Sequence, residues 1–172
     1  MAAGQSWSSD LTATQSQAVK DYTGNLYYEN INAVLRGKAA AFDTGNHERA
    51  KQLHQALADA RLPTACTVYR GTSSAALGRF QAAEDSQLIG VIIGDEGFMS
   101  TSLNREDAFS DELILEIHAP AGAHGVYVGY VSAQGHNESE VLFDKDQTMQ
   151  ITGVRREANG KRVIETILYV RR

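Results

Sequence analysis

Between Ser16 and Gly37, apolar or aromatic side chains fall at Val19, Tyr22, Leu26, Tyr27, Ile31, Val34 and Leu35. Steps of three and four residues put such positions on one face of a helix. Gly24 interrupts the run, so the pattern reads equally as two helices or one bent helix, with Gly37 as a C-terminal cap. A further helix is expected to start at Asn46, a good N-cap residue, and to carry Leu53, Leu57 and Ala60 until Pro63 stops it.

Beyond Pro63 the chain reads as strands. Thr67–Arg70 is a β-rich run closed by Gly71, and Leu88–Ile93 is another, interrupted by Gly90. Leu113, Leu115 and Ile117 alternate with Ile114, Glu116 and His118 before Pro120. Strands are also expected at Val126–Val131, Glu140–Phe143, Met149–Val154 and Val163–Val170, the last two joined across the hairpin signal Asn159-Gly160. Helices first and strands later predict an α+β domain rather than alternating βα units. With no repeat or linker, 1–172 is expected to be one domain, with a helical part over about 10–62 and a β-rich core over about 64–172.

Composition narrows the function classes. The chain has 172 residues, 42% hydrophobic and 22% charged, in the range of globular domains. No apolar stretch reaches the ~18 residues of a membrane-spanning helix. The net charge of −5 argues against a general nucleic-acid binder. The single cysteine, Cys66, excludes an internal disulfide and reads as a small core residue. Met1–Asp10 lacks the basic-then-apolar layout of a signal peptide. The five histidines have no zinc spacing, so no metal is expected. Neither phosphate-loop glycine motif is present, nor is the GxSxG elbow of serine hydrolases.

One segment carries chemistry: Gln134-Gly-His-Asn-Glu138-Ser-Glu140, leading into the apolar Val141-Leu-Phe143. The period of two in a strand would set both carboxylates on one face, where they repel. Paired carboxylates serve reactions in which a glycosidic bond breaks through an oxocarbenium-like state. Taken alone, Glu-x-Glu also fits a solvated strand edge. Two other segments change its weight: Val68-Tyr-Arg70-Gly71, whose arginine can bind a phosphate or ribose, and Gly97-Phe-Met-Ser100-Thr101-Ser102.

Arginine, then Ser-Thr-Ser, then Glu-x-Glu, in that order, resembles the arginine–serine–glutamate class of mono-ADP-ribosyltransferases, the group of bacterial toxins and their vertebrate relatives. The stretch from Tyr22-Thr-Gly24 through Tyr28 and Ile31-Asn32 to Leu35-Arg-Gly37 is similar to the helical entry of the toxin-type domains. Ile114–Ala123 and Val131–Phe143 are similar to their later strands and loop. The resemblance implies two packed, antiparallel-rich sheets around an NAD cleft, with N-terminal helices. It implies that Glu140 stabilises the oxocarbenium ion and that Glu138 orients and deprotonates a target guanidinium. Ser100 would hold Glu140, Arg70 would support NAD, and Gly71 would receive the nicotinamide amide. Thr101 and Ser102 would build the cleft wall. Phe109 has two readings, packing on nicotinamide or filling the core; so have Tyr22 and Tyr28, covering adenosine or lying on a helix's core face. The family's second arginine is replaced here by Glu112, with Arg105 or Arg79 as possible substitutes for the diphosphate contact.

The function this implies is transfer of ADP-ribose from NAD to an arginine of a target protein, with NAD consumed, by the catalytic domain of a bacterial toxin or effector. NAD hydrolysis, or NAD and partner binding without turnover, are the alternatives. Actin, small GTPases or bacterial division proteins would be targets, an immunity protein could cover the cleft, and the chain would be secreted or delivered into a target cell. Neither nucleic acid nor membrane is expected as a partner.

Overall fold

A computed structural model describes residues 2–24, 26–38, 43–108, 112–133 and 139–170. Four helices come first: α1 (Ala2–Asp10), α2 (Ala13–Thr23), α3 (Tyr28–Leu35) and α4 (Thr44–Leu57). Gly24 ends α2, so the interrupted run is two helices. A capping box starts α2: Gln15 N donates to Thr12 Oγ1 at 3.2 Å, and Thr12 N donates to Gln15 Oε1 at 2.9 Å. Helix α1 was not legible in the small, polar N-terminal segment; Trp7 fastens it, its Nε1 donating to the Ala56 carbonyl at 2.7 Å. Asp43, not Asn46, caps α4, because its carboxylate reaches the Asn46 amide at 3.2 Å, and α4 stops at Leu57, short of Ala60.

The strands are β1 (Cys66–Thr72), β2 (Ile92–Asp95), β3 (Met99–Ser102), β4 (Leu113–Ala119), β5 (Gly125–Tyr127), β6 (Glu140–Phe143), β7 (Gln147–Arg156) and β8 (Arg162–Leu168), with a short helix α5 (Asp85–Leu88) before β2. The expected strand Leu88–Ile93 is therefore divided: Leu88 ends α5, and Gly90, at φ 86°, turns the chain before β2. The strand expected over Val126–Val131 ends at Tyr127, and the last strand ends at Leu168. The Asn159-Gly160 hairpin is present, with Gly160 at φ 83°.

All eight strands join in one mixed sheet, ordered β2-β7-β8-β4-β1-β3-β6-β5, rather than in two separate sheets. The β1–β3 junction rests on one register pair, Tyr69 with Ser102, and β4–β8 is the parallel pair. The sheet curls strongly. A flat sheet would hold β2 and β1 about 19 Å apart, at ~4.8 Å per strand. Yet Arg70 on β1 comes within 3.4 Å of Asp95 on β2. Both ends consequently feed one apolar cluster, in which Val68, Leu115 and Ile164 join Met99, Val141 and Phe143. A second cluster, with Ile31, Leu53, Leu57, Phe98, Val126 and Leu142, packs the helices on the other face of β6. Strand β6 is thus buried on both faces, and Glu140 is in phase with Leu142 on the helix side.

Candidate active site

Strands β3 and β6 run antiparallel, with Ser102 opposite Glu140 and Ser100 opposite Leu142. Alternation sets Ser100 and Glu140 on one face as diagonal neighbours. The Ser100 hydroxyl donates to Glu140 Oε1 at 2.7 Å, and only 4% of Glu140 is exposed. The pairing fixes a carboxylate that would otherwise be costly to bury.

The pair lies in a cleft of about 690 Å³, in the size range of small-molecule sites. Its walls come from β1 (Tyr69–Thr72), β3, the end of α2 and the inner face of α3. Arg70 and Gly71 both line it, as do Tyr22, Tyr28, Ser100 and Thr101. The Thr101 hydroxyl is turned away, donating to the Val141 carbonyl at 2.7 Å, which makes Thr101 a wall residue. Tyr22 lines the cleft and is also buried; it donates to the Phe98 carbonyl at 2.9 Å and accepts from Asn32 Nδ2 at 3.0 Å. Burial pushes its phenol up to about 12, against smaller opposing effects of the Arg70 charge and the Asn32 hydrogen bond. Tyr28 is half-exposed at the rim and donates to Glu29 at 3.1 Å.

The two arginines suggested as substitutes for the diphosphate contact lie outside the cleft. Arg105 does not line the cleft; it pairs with Glu157. Arg79 lies over the Phe80 ring in an adjoining cavity of about 780 Å³. Glu112 accepts from the Ser74 amide at 2.9 Å, and hydrogen bonds from the Ser74 backbone and side chain hold its carboxyl below the usual range. The period-two argument for Glu138 and Glu140 also fails, because β6 begins at Glu140 and Ser139 stands at φ 45°, in the left-handed region. Glu138 and Phe109 themselves lie outside the described residues.

The sequence reading missed Arg36, Lys38 and Asn32, which line the cleft from α3 and its end, and Asp95, which pairs with Arg36 at 2.8 Å. Asn32 had a signal, a polar residue beside Ile31 within an apolar face; it is 3% exposed and its Oδ1 accepts from the Phe98 amide at 2.9 Å. Arg36 lay in the Leu35-Arg-Gly37 stretch likened to the helical entry but had no role assigned, and Asp95 had no signal, since only the curl of the sheet unites the two. Arg36, Lys38 and Arg70 supply the positive charge a dinucleotide diphosphate needs, and Arg70 Nη1 is buried with no hydrogen-bond partner among the described residues. The residues present therefore fit NAD. Among the described residues no cluster could hold a metal ion.

Comparison with known proteins agrees with this chemistry. The family model for the ADP-ribosyltransferase exoenzyme matches residues 1–170. The chain is 31% identical over 137 residues to the NAD(+)–protein-arginine ADP-ribosyltransferase Tre1 of Pseudomonas putida, covering 77% of this chain and 25% of that protein. It thus spans about a quarter of that relative's length. Among solved structures, the ADP-ribosyltransferase toxin Plx2a of Paenibacillus larvae superposes with a TM-score of 0.84 at 23% identity, over 96% of this chain and 90% of that one. C3stau2 of S. aureus, solved with NAD, gives 0.78 at 18% identity, over 99% and 96%. The chain belongs to the ADP-ribosyltransferase exoenzyme family.

Proposed function

We propose that this chain transfers ADP-ribose from NAD to an arginine side chain of a target protein, and that Glu140 stabilises the cation formed on the way. The observation that carries the reading is the 2.7 Å Ser100–Glu140 pair at the base of a cleft edged by Arg36 and Arg70. In the reaction the bond between ribose C1′ and the nicotinamide nitrogen breaks, and its electron pair leaves with neutral nicotinamide. The positive charge left on the ribose is stabilised by a fixed, dry carboxylate more strongly than by water. An arginine nitrogen then forms the new bond to C1′ and loses a proton. We assign that proton to Glu138, since a guanidinium, with a pKa above ~12, needs a carboxylate to orient and deprotonate it. The Glu-x-Glu sequence and the arginine specificity named for the Pseudomonas putida relative support this assignment. Arg70 and Gly71 bind NAD, and Tyr28 borders the mouth of the site. The target is a protein with an accessible arginine, and the domain acts as a delivered or secreted toxin.

Labelled NAD incubated with the chain and a cell lysate tests the reading. Label on protein, released by treatments that cleave arginine-linked ADP-ribose, is expected. Free ADP-ribose alone would mean a hydrolase, and neither product would mean a binding module.

A further inference from the structure

Asp95 ends β2 and gathers groups from two other elements. Its Oδ1 accepts from Arg36 Nε at 3.1 Å, from Arg36 Nη2 at 2.8 Å and from the Gly97 amide at 2.9 Å. Its Oδ2 accepts from Arg36 Nη2 at 2.9 Å and lies 3.4 Å from Arg70 Nη2. One carboxylate therefore serves two guanidiniums, and the trio keeps a net positive charge. The pair with Arg36 uses the Nε–Nη2 edge and leaves Nη1 outside it. On Arg70, Nη1 is buried and has no hydrogen-bond partner among the described residues. A buried donor without an acceptor carries its full desolvation cost until an acceptor arrives.

The arrangement is built into the fold. Gly97 lies so close that a Cβ there would come 3.0 Å from Arg36 Nη2 and 2.7 Å from Asn32 Oδ1. The Asp95 and Arg36 side chains are 20% and 31% exposed, so the pair is partly shielded from solvent.

We propose that Asp95 is a positioning residue for NAD capture: it holds Arg36 and Arg70 by their inner edges so that their remaining N–H groups converge on one anionic group, the diphosphate. The inference rests on the NAD reading of the cleft and deepens it. Two physical reasons support it. Arginine loses much rotamer freedom when fixed, and Asp95 imposes that loss before the ligand arrives. Two guanidiniums repel at close range, and the shared carboxylate lets them stay together. Asp95 has no contact with Ser100 or Glu140 among its hydrogen bonds and ion pairs, so it governs affinity rather than bond cleavage.

The test is Asp95→Asn, which keeps shape but removes the charge, assayed by NAD hydrolysis over a range of NAD concentrations and by calorimetric titration with NAD. KM and Kd are expected to rise about tenfold or more, with kcat held within about threefold. Arg36→Gln is expected to raise KM similarly, and adding Asp95→Asn to it should raise KM by less than Asp95→Asn does alone, since only the hold on Arg70 is then left to lose and residues acting through one another are non-additive. An unchanged or lowered KM in Asp95→Asn, a fall in kcat at constant KM, or full additivity with Arg36→Gln would overturn the proposal. Should Asp95→Asn not fold, Arg36→Gln alone decides, and an unchanged KM there overturns it. Wild-type protein that neither binds nor hydrolyses NAD would instead sink the underlying reading of the cleft.

Discussion

Glu140 is almost wholly buried, and its one described side-chain donor is the Ser100 hydroxyl at 2.7 Å. Hydrogen bonds to charged groups contribute about 1.5–3 kcal/mol. Ser100→Ala is therefore expected to lower kcat for both hydrolysis and transfer by about ten- to a hundredfold, as steady-state rates will show. Glu140→Gln should cost about a hundredfold or more in both, because it removes the charge that opposes the ribosyl cation. Tyr22 is exposed to a different test. Its folded value of about 12 lies above the ordinary 10.0, with burial as the main cause. A group whose neutral form is favoured by folding contributes fully below the unfolded value; that contribution is lost as pH rises from about 10 through about 12. Among the seven tyrosines, Tyr22 is expected to ionise last in an absorbance titration, and Tyr22→Phe should remove that step. At this scale the sequence disclosed Arg70, Ser100 and Glu140, because each sits in a short motif. It did not disclose Arg36 or Asp95, whose meeting depends on distant parts of the chain.

Strands β3 and β6 together make the site's base, and their register decides which residues meet. The run Glu140–Phe143 was legible because an apolar strand follows a polar loop, and the hairpin at Asn159-Gly160 because a turn there needs positive φ. The run Leu88–Ile93 misled, because a helical turn and a glycine bend can carry apolar residues as densely as a strand. Glu138 lies outside the described residues, and the period-two argument for it lacks its premise: that period holds only through extended backbone, and Ser139 is not extended. Strand β6 is pinned at its far end by β5, where Gly125 meets the fully buried Phe143 ring. A Cβ on Gly125 would come 2.5 Å from Phe143 Cδ1. Gly125→Ala is expected to destabilise the protein by about 1–3 kcal/mol in urea unfolding, through overpacking of a core that cannot yield. A stability equal to wild type would mean that β5 does not anchor β6.

The whole molecule closes a curled sheet so that its edge strand, its central strand and a helix end meet beside the cleft. Asp95, Arg70 and Arg36 come from those three elements. The α+β class and the order of helices before strands were legible from periodicity, whereas the curl, which makes one sheet act as two, was not. Electrostatics at this scale disfavours a nucleic acid, since the chain is acidic overall and the cations lining the cleft, Arg36, Lys38 and Arg70, are balanced by Glu29, Asp107 and Glu140. Under the proposed function, specificity for arginine rests on Glu138. Glu138→Gln keeps size but accepts no proton, so it is expected to abolish arginine modification while leaving much of the NAD hydrolysis intact. Equal loss of both would mean that the two carboxylates act as one unit. The most direct test of the central claim is mass spectrometry of proteins from a lysate treated with NAD and this chain, with the Glu140→Gln variant alongside. ADP-ribose on arginine side chains, absent with the variant, is the expected result. ADP-ribose confined to other side chain types, or arginine adducts that persist with Glu140→Gln, would contradict it.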